Sequence, residues 1–252
     1  MAGKKKDTSL LHHLIGSRSL VWNLAKNDIK KKFAGSYFGV VWAFVQPVIT
    51  VLLYWFVFEK GLNSKATDLR TGIEIPFVLW LTAGLVPWFY FQEALNGGTG
   101  VLVEYSYLVK KVVFQIDMLP VVKMISALFT HLFFVAFTIV LFICMGYMPD
   151  WYALQVIYYS FCMILFATGL VYATSAVTVF FRDMKEVVGI LLQIGMWVTP
   201  IMWNFETMVQ IPGWAIAVLK LNPMYYIVSG YRNALINHIG FWEDMGLTVY
   251  FW

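Results

Sequence analysis

Apolar positions along the 252-residue chain are gathered into long runs separated by short polar joints. Gly39 to Phe58 carries no charge over a length that spans about 30 Å when helical, one bilayer core. Pro76 to Leu95, Leu119 to Gly146, Trp151 to Phe181 and Val187 to Trp203 repeat the pattern, which predicts five helices across a membrane. Met245 to Trp252 begins a sixth span and does not finish it. Either the natural chain runs past Trp252 or the last helix is truncated. The expected fold class is therefore an all-α, polytopic integral membrane protein.

The joints are as informative as the runs. From Ser9 to Phe33, Leu10, Leu14, Val21 and Leu24 recur at helical spacing beside a polar face that ends in Lys30, Lys31 and Lys32, the pattern of a helix lying in the interface plane. Gln46 and Pro47 fall inside the first span, where the missing donor and the amide are expected to be satisfied by helix packing rather than by a wet cavity. Glu59 to Glu74 reads as a polar outside loop, and Pro87 as a kink in the second span. Asn96 to Gly100, NGGTG, is too glycine-rich to read as helix. Glu104 to Asp117 forms the first inner loop, and its Lys110 and Lys111 between apolar neighbours fit either a short helix under the membrane or a solvated charge pair.

Trp151 to Phe181 exceeds what a bilayer requires, so that helix is tilted or extends past it. Gly169, Ala173 and Ala176 mark a close-packing face, and Arg182 to Glu186 a tight inner turn. Ile211 to Leu221 and Pro223 to Ile236 are apolar but too short to cross, with Asn222-Pro223 as an N-cap followed by Pro at the first helical position. They predict a pair of re-entrant or surface helices on the outer side.

Composition and charge sharpen this layout. Hydrophobic residues make up 60% and charged residues 13%, against roughly 25% charged in soluble domains. Thirteen Lys and Arg fall on the segments placed inside and five on those placed outside, so the N-terminus is expected in the cytoplasm. The net charge of +4 follows from topology and implies no nucleic-acid partner. Leu10 to Ile15 is too short and too interrupted by His12 and His13 for a cleavable signal. Cys144 and Cys162 lie in apolar runs and read as lipid- or core-facing thiols.

Catalytic signatures are missing. There is no G-x-x-x-x-G-K-[ST], H-E-x-x-H, G-x-S-x-G or Cys-x-x-Cys, so no enzymatic activity, metal or cofactor is expected in this chain. His131 lies deep in the third span and reads as a structural hydrogen-bonding group. Together with Glu93 and Asp117 it is a loose candidate for a membrane-embedded transferase acting on a polyprenyl carrier. Aromatic residues are abundant at 18%, and Tyr37, Trp42, Tyr54, Trp55, Trp88, Phe89, Tyr90, Phe91 and Trp197 are candidates to line a path on which sugar rings stack. The competing reading makes most of them interface-belt or packing rings.

Five segments in order, NDIKKKFAGSYFGVVWAFVQP, AGLVPWFYF, LVKKVVFQIDMLP, VFFRDMKEVVGILLQIGMWVTPIMW and NPMYYIVSGYRNAL, resemble ABC-2 type permeases, and within them the teichoic acid and O-antigen polysaccharide export subunits. The resemblance implies an N-terminal tail and interface helix over 1–35 and a six-span transmembrane domain over 36–252. It implies a homodimer bound to two ATPase subunits that carry the ATP and Mg, exporting a polyprenyl-diphosphate-linked glycopolymer across a bacterial inner membrane. In that scheme Tyr105, Leu108, Lys110, Lys111, Phe114 and Asp117 belong to the segment that docks on the ATPase, Trp214 to Ile236 to the outer re-entrant helices, and Arg182 and Asp183 to a structural inner turn. An ABC-2 exporter of drugs or small lipids is the alternative within the same fold.

Overall fold

The computed structural model describes residues 18–32, 34–106, 116–204 and 212–252. Helix α1, Arg18–Lys32, is the described part of the expected interface helix; residues 9–17 and 33 lie outside the described residues. Val21, Ala25 and Asp28 recur at helical spacing on its buried face, while Leu20 and Trp22 stay exposed. The first span is α2, Trp42–Trp55, continued by a π-helical stretch Phe56–Gly61. Glu59 and Lys60 therefore remain helical instead of starting the loop that follows. That loop holds a small antiparallel hairpin, β1 Ala66–Thr67 with β2 Glu74–Ile75.

Helix α3, Phe77–Thr99, stands at the centre of the bundle with nearly every residue from Phe77 to Leu95 buried. It runs through Pro87 and on through Asn96–Gly98, so the glycine-rich NGGT stretch is helical, contrary to expectation. Packing overrides propensity here. A Cβ on Gly98 would sit 2.4 Å from Val171 Cγ1, so glycine is what lets a neighbouring helix lie against α3. A short helix α4, Val101–Glu104, leads into the loop expected on the inner side, of which residues 107–115 lie outside the described residues.

Helix α5, Leu119–Cys144, and helix α6, Gln155–Phe180, form the third and fourth spans. With their leading turns they join Trp42–Gly61 as the three described helices long and apolar enough to cross a membrane. The 30-residue run Trp151–Phe180 would reach about 45 Å, beyond one bilayer core as expected. Because α3 is enclosed by α2, α5, α6 and later helices, its side chains meet protein rather than lipid, and it can carry Gln92, Glu93 and Asn96.

On α6 the small-residue face is not the one packed within the chain. Gly169, Ala173 and Ala176 are exposed, with nothing within 4 Å of a Cβ built on Gly169; Met163, Ala167, Val171 and Thr174 supply the packing face.

Helix α7, Met184–Val198, has 15 residues and stops before Pro200. Helix α8, Gly213–Lys220, is largely exposed, whereas α9, Pro223–Arg232, is buried against α3 and α6 and continues as a π-helical stretch Asn233–Asn237. The Asn222 cap forms as the sequence predicts: its side chain accepts from the Met224 N–H at 3.0 Å, and its amide donates to Thr199 Oγ1 at 2.8 Å. Helix α10, Met245–Phe251, lays Phe251 on Tyr226, ring centroids 4.9 Å apart. Cys144 is exposed and Cys162 buried, both unbridged, as read from their neighbours.

Candidate functional site: the inner polar cavity

A cavity of about 640 Å³ opens between α1, α2, α3 and α5. Gln46 and Pro47 of α2 line it, so they face a polar space, and the expected helix-packing partner is corrected. The reason lies in α3, which presents Gln92, Glu93 and Asn96 to the same space and leaves it hydrophilic. Lysines from two helices frame it. Lys32 Nζ lies 2.6 Å from Glu93 Oε1, joining the end of α1 to α3. Lys123 Nζ, on α5, lies 2.6 Å from Asp28 Oδ1 and 3.2 Å from Glu104 Oε2. Tyr105 donates its hydroxyl to Asp28 Oδ1 at 2.8 Å, and its ring lies under Lys31 and Lys123. A half-exposed cation such as Lys32 can exchange its carboxylate partner for another anion, which suits a phosphate-bearing headgroup, whereas the buried Lys123–Asp28 pair is held in place.

At the other end of the bundle a cavity of about 380 Å³ is lined in part by Arg232, which the sequence assigned only to the outside charge count. Arg232 is 7% exposed and donates to the carbonyls of Pro200 and Ile201, 2.7 Å each. Its guanidinium lies 3.3 Å from the centroid of the Trp80 ring. The signal was its position at the end of a short apolar run, where snorkelling to water is blocked by packing. Pro200 and Ile201 lie in the turn just past the end of α7, and Arg232 satisfies their carbonyls there.

The nine candidate path aromatics are not brought to one surface. Trp88, Tyr90 and Phe91 are consumed in the core of α3, so their rings face neighbouring helices. Trp88 and Phe91 line a separate apolar pocket of about 230 Å³ between α3, α6 and α7. Phe89 alone among the nine lines the inner cavity. Tyr37, Trp42 and Trp197 are exposed, and Tyr54 and Trp55 are half-buried against the core.

Among the docking-segment residues, Tyr105 is 4% exposed and turned inward, and the Asp117 carbonyl accepts from the Tyr172 hydroxyl at 2.6 Å. Leu108, Lys110, Lys111 and Phe114 lie outside the described residues. Arg182 and Asp183 are exposed between α6 and α7. Their neighbour Lys185 crosses Gly100, where a Cβ would meet its Cε at 1.7 Å.

His131, Glu93 and Asp117 do not form one cluster. His131 Nε2 lies 3.3 Å from Ser160 Oγ and 3.2 Å from the Tyr231 hydroxyl, while Glu93 pairs with Lys32. Among the described residues no group of three or more His, Cys, Asp or Glu is placed to hold a metal ion.

The profile of the ABC-2 type transporter family matches residues 19–236, which takes in α1, the bundle and the α8–α9 pair. The chain belongs to the ABC-2 type transporter family. It is similar to an O-antigen export system permease protein RfbA of Myxococcus xanthus, 25% identical over 91% of this chain and 85% of the relative. Two proteins of the same description from Klebsiella pneumoniae are 21% and 20% identical over 86% and 85% of this chain, and 80% and 79% of their own length. Family membership and the three long apolar helices make this ABC-2 chain an integral membrane protein, and permeases of this kind are transport subunits rather than catalysts.

Proposed function

We propose that the chain is the permease subunit of an ATP-driven exporter for a cell-surface polysaccharide built on a polyprenyl diphosphate. The observation that carries this reading is the family match over residues 19–236 together with full-length similarity to permeases named for O-antigen export. The inner cavity supports it: a diphosphate entering from the cytoplasmic leaflet would meet Lys31 and Lys32, with Gln46, Gln92 and Asn96 as hydrogen-bonding walls. Wall teichoic acid is a cargo of the same chemistry. The polar cavity also weighs against a drug or small-lipid exporter, which would need a greasy pocket at that position.

Two copies of the chain would flank the path in a bacterial inner membrane, with Lys30 to Lys32 on the cytoplasmic side. Two ATPase subunits would dock on residues 105–117 and carry the ATP and Mg. Exposed Tyr37, Trp42 and Trp197 are the aromatics left available to a polymer moving between protomers.

The test is reconstitution. The purified chain should hydrolyse no ATP, and its complex with the ATPase encoded beside it should show hydrolysis stimulated by the lipid-linked polymer. Hydrolysis or transport by the chain alone would exclude the reading.

A further inference from the structure

Both flanks of the inner loop converge on one carboxylate. Asp28, on the inward face of α1 and 8% exposed, accepts from the Tyr105 hydroxyl at 2.8 Å on the entering flank. On the returning flank it accepts from Lys123 Nζ at 2.6 Å. Lys123 also reaches back to Glu104, which closes the ring of contacts around the loop.

Beside this junction Val21 and Ala25 of α1 pack with Met118 and Val122 in a small apolar cluster separate from the main core of the bundle. Helix α1 and the start of α5 thus share a small core of their own, while Val101 and Tyr105 at α4 pack with Leu119 in a second one. The anchor of α1 to α3, the Lys32–Glu93 pair, is half exposed on the lysine side and so the weaker attachment.

We infer that Asp28 is the positioning residue that makes α1 and the two flanks of the inner loop move as one body, passing a displacement imposed on the loop to α1 and hence to one wall of the inner cavity. The inference rests on the proposed docking of an ATPase on residues 105–117. Apolar packing alone would let the loop flanks slide along α1. Two short, charge-assisted bonds to one buried oxygen allow no such slip, because breaking either leaves a desolvated partner.

The experiment is carried out on the full complex of the chain with its ATPase in proteoliposomes, and its readout is polymer moved per ATP hydrolysed. A purely structural defect lowers assembly, and with it transport and hydrolysis together, leaving that ratio in place. Asp28→Asn should lower the ratio by about tenfold, within the range of measured coupling between distant sites. Asp28→Glu should recover part of it, and the exchanged pair Asp28→Lys with Lys123→Asp more than Asp28→Lys alone.

Tyr105→Phe removes one bond without touching the charge pair and should lower the ratio by a few-fold. It keeps the test decisive if Asp28→Asn does not assemble. Ratios equal to the unmodified complex in Asp28→Asn, or in Tyr105→Phe where the former fails to assemble, would overturn the inference while leaving the exporter reading intact. An unmodified complex without polymer-stimulated hydrolysis would remove both.

Discussion

Arg232 stacks on Trp80, guanidinium to ring centroid 3.3 Å, and so ties the buried helix α9 to the N-terminal end of the central helix α3. The same side chain satisfies the Pro200 and Ile201 carbonyls. Arg232→Ala should destabilise the protein by at least about 3 kcal/mol, because hydrogen bonds to a charged group contribute roughly 1.5–3 kcal/mol each. Arg232→Lys keeps the charge but loses the planar fork and the stacking, and should recover less than half of that loss. Thermal unfolding of the detergent-solubilised chain checks both.

His131, Ser160 and Tyr231 join α5, α6 and α9 through their polar atoms, with Ser160 Oγ 2.6 Å from the Tyr231 hydroxyl. His131→Leu should cost about 1–3 kcal/mol by leaving buried hydroxyls short of a partner. His131→Gln should cost less and leave transport per ATP unchanged. Loss of transport at full stability in the Gln variant would revive a chemical role for this histidine.

Gly98→Ala places a methyl 2.4 Å from Val171 Cγ1 and should destabilise the packing of α3 against α6 by roughly 1–3 kcal/mol. Val171→Ala opens the space it needs. The double variant should therefore be more stable than Gly98→Ala alone, a sign that a double-mutant cycle measures directly.

Asp68 orders the β1–β2 hairpin. Burial raises its carboxyl pKa, but hydrogen bonds from the Thr71 side chain and from the Arg70 and Thr71 N–H groups outweigh burial and hold it below the ordinary value. A depressed carboxylate contributes stability that is full above its unfolded pKa of about 3.9 and is lost as pH falls through the lower folded value. Amide exchange of residues 66–75 should therefore show the same protection at neutral and mildly acid pH and lose it only below about pH 4. Asp68→Asn should lose part of that protection at neutral pH and show no further loss from this position on acidification.

Much of this protein was legible from local pattern. Apolar run length placed α2, α5 and α6, and Asn222-Pro223 announced the start of α9, because both signals depend only on residues within a few turns of one another. The basic end of α1 is likewise visible in Lys30 to Lys32, since a charged face cannot be buried unpaired.

Tertiary structure decided the rest. Asn96–Gly98 became helix because α6 packs on Gly98; Gln46 came to face a cavity because α3 offers polar residues opposite it; Gly169 turned outward because α6 uses another face. Arg232 and Asp28 were counted as charges, or passed over, by a reading along the chain, yet each is held by partners at least 31 residues away. Hydropathy is a property of one segment and can be summed along it. Which polar group finds which partner depends on helices meeting in space, and no periodicity within either helix records it.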